Sequence, residues 1–96
     1  MPVSLLLIED NEDILANLYA YLEPLGYELD CARHGRTGLI MALEGRFDCI
    51  VLDVMLPGLD GCEVARRLRQ AKNATPVLML TARSEVSDKV KVWTAA

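Results

Sequence analysis

The hydrophobic period of this chain switches back and forth along its length, and that alternation restricts its possible folds more than any other feature. Val3 to Ile8 is a short apolar run, as expected of a strand buried on both faces. From Asn11 to Leu22 the period becomes helical, with Ile14, Leu15, Leu18, Leu22 and then Leu25 on one stripe. Asp10 or Asn11 can cap this helix, Glu12 and Asp13 suit its positive first turn, and Pro24 and Gly26 close it. Tyr27 to Cys31 predicts a second strand, polar enough to lie near an edge. Gly35 and Gly38 bracket the start of a short helix through Leu39, Ala42 and Leu43, which stops at Gly45.

The pattern then repeats. Phe47 to Leu52 reads as a third strand, and Met55 to Gly61 as a loop with Pro57-Gly58 and Asp60-Gly61 turn signals. Cys62 to Gln70 predicts a helix with Val64, Ala65 and Leu68 inward and Arg66, Arg67 and Arg69 outward. Pro76 to Leu80 predicts a fourth strand, and Ser84 caps a last helix with Val86, Val90 and Trp93 on one face. Strands alternating with helices imply an α/β fold, a doubly wound parallel sheet between two helical layers. In such sheets the functional site lies beyond the carboxyl ends of the strands. Glu9 and Asp10 follow the first strand, Asp53 the third and Thr81 the fourth, whereas Ala32, Arg33 and His34 after the second suggest nothing specific.

Charge is distributed unevenly. Residues 1–32 carry seven acids and no base, while residues 33–96 carry ten bases and seven acids, for a net charge of −4. An acidic first third repels nucleic-acid phosphates and attracts a cation. No apolar run approaches the roughly 20 residues of a membrane span, and the N-terminus lacks the basic start of a secretory signal. The expectation is a cytoplasmic chain. Cys31, Cys49 and Cys62 are odd in number and have no CxxC spacing, which fits reduced, structural thiols.

Carboxylates gathered at neighbouring strand ends repel unless a proton or a cation relieves them. Hard oxygen donors without nitrogen or sulfur suit Mg2+, which commonly binds one or two carboxylates, waters and a phosphate oxygen. An Asp carboxylate can itself accept a phosphoryl group, and positioning with charge neutralisation carries most of such a transfer. Thr81 could then donate its hydroxyl to a phosphoryl oxygen. The loop Glu9-Asp10-Asn11-Glu12-Asp13 has none of the glycines of a nucleotide-binding turn, and its acids would repel a pyrophosphate.

Leu6-Leu7-Ile8-Glu9-Asp10-Asn11, the segment Val51 to Gly61 around Asp53, and Pro76-Val77-Leu78-Met79-Leu80-Thr81-Ala82-Arg83 together resemble the receiver domain of bacterial two-component response regulators. The wording around Asp53 is most similar to the OmpR/PhoB-like class, whose receivers precede a winged-helix DNA-binding domain. The resemblance spans about residues 3–92. It implies a flavodoxin-like, CheY-like fold with sheet order 2-1-3-4-5 and Asp53 as phosphoacceptor for a sensor histidine kinase. It also implies Asp10 on Mg2+ directly, Glu9 through water, the Met55 carbonyl as a further ligand, and Thr81 as the switch hydroxyl. Self-catalysed phosphotransfer, rather than turnover of a substrate, is the activity it implies.

A family receiver continues into a fifth strand, a lysine beside the phosphoryl site and a fifth helix. Lys89 and Lys91 fall within the expected last helix, before that strand. The expectation is therefore one receiver domain over residues 1–96, with sheet order 2-1-3-4, no output domain and no DNA binding of its own. The fourth strand would then present an open edge. Two chains could pair through the edge of the fourth strand and last helix, or exchange C-terminal elements, and phosphorylation or switching would be weakened. A haloacid-dehalogenase-like phosphatase would need Asp where Met55 stands. A phosphorylation-independent interaction module with the same fold is the alternative reading. His34 reads as a solvated loop residue, Trp93 as a packing residue, and Arg66, Arg67, Arg69 and Lys72 as a solvated helix face.

Overall fold

Consecutive side chains of a strand point to opposite faces of the sheet, and in the first strand both sets are buried. In the computed structural model, Leu6 and Ile8 join one apolar layer with Ile50, Leu52, Val64, Leu68 and Val77. Leu5 and Leu7 join the other, with Leu15 and Val51. The structure describes residues 2–54, 56, 58–80 and, for the backbone, 90–93. The elements are β1 (Ser4–Ile8), α1 (Glu12–Leu22), a single 3-10 turn (Glu23–Leu25), β2 (Glu28–Ala32), α2 (Gly35–Glu44), β3 (Cys49–Asp53), α3 (Gly61–Gln70), β4 (Val77–Leu80) and β5 (Val90–Trp93).

The sheet order is β2-β1-β3-β4-β5. The first four strands are parallel, in the predicted order 2-1-3-4. Ile8 stands opposite Leu52, and Asp53 opposite Leu80. β2 lies at an edge, which accounts for its alternation of exposed and partly buried residues. α2 and α3 cover the layer of Leu6 and Ile8, and α1 supplies Leu15 to the other. At Gly38 a Cβ would lie 2.5 Å from the Ile8 side chain. The absence of a side chain there lets α2 settle directly on β1.

β5 corrects the sequence-based expectation. Val90–Trp93, placed on one face of a last helix together with Val86, is instead a strand antiparallel to β4, with Leu78 opposite Val92. Ser84, Val86 and Lys89 lie outside the described residues; Lys91 belongs to the strand, opposite Met79. The physical reason is that the unpaired edge of β4 offers a row of main-chain donors and acceptors. The run Val-Lys-Val-Trp is rich in β-branched and aromatic residues that favour such a ladder. The edge of β4 expected to be open is therefore filled by β5.

Three smaller expectations also shift. Leu25 follows the helical spacing but is 62% exposed, because the 3-10 turn ends α1 before it. Leu43 is likewise exposed. Arg69 is half-buried rather than outward, donating to the Asn73 carbonyl at 2.7 Å. Arg66 and Arg67 both pair with Glu63, as suits a solvated helix face. The three cysteines are free thiols.

Helix α1 is capped by Asn11, whose side-chain oxygen accepts from the main-chain N–H of Asp13 at 2.8 Å and of Ile14 at 3.1 Å. Loss of this cap in Asn11→Ala is expected to cost about 1 kcal/mol. Leu52→Ala, at a fully buried position, is expected to cost about 2–5 kcal/mol. Urea unfolding followed by circular dichroism checks the ranking; equal midpoints would contradict this packing.

Candidate metal and phosphoryl site

The parallel pairing of β1 with β3 brings Glu9, just past Ile8, level with Asp53 at the end of β3. Glu9 extends the ladder by one residue, its N–H donating to the Ala32 carbonyl at 3.0 Å. This hydrogen bond holds the acid against the sheet instead of leaving it free in the loop. The N–H of Asn11 donates to a Glu9 carboxylate oxygen at 3.0 Å. The loop between Glu9 and α1 is therefore folded back on its own acid.

After Asp53 the chain is held equally closely. The Val54 N–H donates to the Leu80 carbonyl, and the Gly61 N–H to the Val54 carbonyl, both at 3.0 Å. A Cβ at Gly61 would collide with the Asp53 carbonyl oxygen. Glycine at this position is what allows the start of α3 to pass directly beside the main chain of Asp53.

Glu9, Asp10 and Asp53 each place a carboxylate oxygen within 4.8 Å of the others. Glu9 is 3% and Asp53 2% exposed, while Asp10 is half-buried. The three border a hollow of about 430 Å³, which Asn11, Glu12, Asp13 and Ile14 also line. The structure thus brings together three of the five residues singled out from sequence. Met55 and Thr81 lie outside the described residues.

Burial and the crowding of like charges both disfavour the ionised form of a carboxyl group. The Glu9 carboxyl is pushed from 4.5 up to about 7, first by burial, then by its hydrogen bond with Asp53 and the charges of Asp53 and Asp10. The Asn11 N–H opposes the rise. A cluster of hard oxygen donors in this strained state fits a small divalent cation, which would relieve the repulsion directly.

Arg33 also borders the site, although nothing in the sequence around it marks it as a site residue. Its guanidinium reaches from the turn after β2 to the turn after β1. It donates to a Glu12 carboxylate oxygen at 2.7 Å and to the Asp10 carbonyl at 3.1 Å.

The model of the response regulator receiver domain family matches residues 5–96. The chain belongs to the response regulator receiver domain family. This receiver domain is 48% identical over 86 residues to the Bacillus subtilis transcriptional regulatory protein YkoG, covering 90% of this chain and 38% of that protein. It is 44% identical over 89 residues to the Escherichia coli transcriptional regulatory protein HprR, covering 93% and 40%. The receiver therefore spans well under half the length of these relatives.

Among solved structures, it is similar to the receiver domain of a Pseudomonas aeruginosa sensor histidine kinase, described with magnesium coordinated in the active site cleft. The TM-score is 0.82 and the identity 32%, covering 92% of this chain and 74% of that one. The Thermotoga maritima response regulator TrrA, in complex with Mg2+ and a beryllium fluoride, gives a TM-score of 0.80 at 34% identity, covering 86% and 72%. No helix among the described residues is long and apolar enough to cross a membrane.

The raised Glu9 pKa fixes the sign of a pH effect. The folded state holds this proton more tightly than the unfolded state, so the stability it contributes is complete below about 4.5 and is lost as pH rises through about 7. With divalent cations chelated, the melting temperature is expected to fall over that window. Glu9→Gln should flatten the fall. Thermal melts across the same pH range decide it; an unchanged slope in Glu9→Gln would assign the effect elsewhere.

Proposed function

We propose that this receiver domain is a phospho-accepting switch in which Asp53 takes a phosphoryl group from the phosphohistidine of a sensor histidine kinase, or from a small acyl phosphate. The observation that carries this reading is the set of three carboxylates at adjacent strand ends, with oxygens within 4.8 Å of one another. In the transfer, a carboxylate oxygen of Asp53 bonds to phosphorus as the bond from phosphorus to the donor nitrogen or acyl oxygen breaks. The electron pair of that bond leaves with the donor.

Asp10, Asp53 and the Met55 carbonyl would hold Mg2+, with Glu9 acting through water. When bound, Mg2+ supplies the positive charge that lets an anionic phosphoryl group approach an anionic carboxylate. The role of the chain is positional. β1 and β3 hold the carboxylates level, and Gly61 keeps the α3 start against Asp53. Thr81 is assigned the hydroxyl that donates to a phosphoryl oxygen after transfer.

The reading places the chain in the cytoplasm, beside its kinase. The names of its relatives support control of transcription by a longer parent protein, with DNA contacted outside these residues. Exchange of C-terminal elements between two chains stays compatible with this reading.

Incubation with acetyl phosphate and Mg2+, followed by intact mass measurement, tests the proposal. The wild-type chain is expected to gain one phosphoryl group, and Asp53→Asn none. Chelation of Mg2+ should abolish the gain. A phosphoryl group retained in Asp53→Asn would overturn the assignment.

A further inference from the structure

The geometry points to Arg33 as a specificity-determining residue that keeps Glu12 out of the ligand set of the acidic hollow and so favours Mg2+ over larger divalent cations. This inference rests on the reading of the hollow as a Mg2+ site.

Glu12 lines the same hollow as Glu9, Asp10 and Asp53. It is not one of the carboxylates that converge within 4.8 Å. Its carboxylate is instead turned to Arg33, which grips it at 2.7 Å and grips the neighbouring Asp10 carbonyl at 3.1 Å. The guanidinium fork spans both groups, and its planar geometry fixes their relative direction. Arg33 stands just past β2 and Asp10 just past β1. These two strands pair residue for residue up to Ile8 and Ala32, so the base of the clamp is rigid.

A fourth carboxylate would alter which ion the hollow prefers. Mg2+ demands six ligands in tight octahedral geometry, keeps several waters and takes few carboxylates. Ca2+ accepts six to eight oxygens in flexible arrangements and gains from each added carboxylate. Both ions carry the same charge, so removal of a positive side chain affects them alike through simple electrostatics. The ratio of the two affinities isolates the ligand set from the background charge.

Calorimetric titration of Mg2+ and of Ca2+ into the 96-residue chain tests this at fixed pH and low ionic strength. Wild type, Arg33→Ala, Arg33→Gln, Glu12→Gln and the double variant Arg33→Ala/Glu12→Gln are compared, with circular dichroism confirming the fold. The side chains of the pair are 49% and 75% exposed, and exposed ion pairs contribute little. The expected change is accordingly small, about a threefold rise in Ca2+ over Mg2+ preference for both Arg33 variants. Glu12→Gln and the double variant should keep the wild-type ratio.

A ratio unmoved in Arg33→Ala and Arg33→Gln would overturn the inference, as would a rise that persists in the double variant. Either result leaves the Mg2+ reading intact if the wild-type chain binds the ion. A wild-type chain that takes up neither cation would overturn both.

Discussion

Repulsion among carboxylates forced together at the end of a parallel sheet governs the chemistry of this domain. The sheet leaves Glu9 and Asp53 little freedom to separate. Glu9 is tied to the Ala32 carbonyl by its own N–H, and Asp53 is the last residue of a strand paired on both sides. Burial of both removes the water that would otherwise screen them. Burial first, and the neighbouring carboxylates after it, raise the Glu9 pKa, so either a proton or a cation would relieve the cluster. The same hydrogen bonds that complete the sheet therefore hold the site in a charge-strained state that favours a divalent ion.

Much of this was legible in the sequence because it depends on local pattern. The apolar run from Val3 to Ile8 read as a buried strand, with Glu9 and Asp53 each at a strand end, and the register of β1 against β3 in the structure then sets the two acids level. Asn11 was one of two candidate caps, and the structure selects it because Asp10 is drawn into the hollow. The glycines at 38 and 61 were visible as residues. That they mark close approaches to Ile8 and to the Asp53 main chain emerges only from the packing.

What escaped the sequence depends on contacts between distant segments. Val90 and Trp93 share a face at helical spacing, yet the same residues suit a strand, and an available edge on β4 decides between the two. Leu25 keeps the helical period past the point where the main chain tightens into a 3-10 turn. Arg69 bends back to the Asn73 carbonyl, a contact that periodicity cannot encode. Arg33 had no signal at all. Its contacts follow from the parallel pairing of β2 with β1, which sets two turns side by side that are 23 residues apart in the chain.

The division of apolar side chains into two layers has its own consequence. Leu6, Ile8, Ile50 and Leu52 belong wholly to one side, and Leu5, Leu7 and Val51 to the other. The main chain of β1 and β3 is a shared wall between two separately filled compartments. Volume lost in one cannot be recovered by side chains sliding across from the other. Paired substitutions on opposite sides should behave as strangers, their energies adding, whereas pairs on one side should interact.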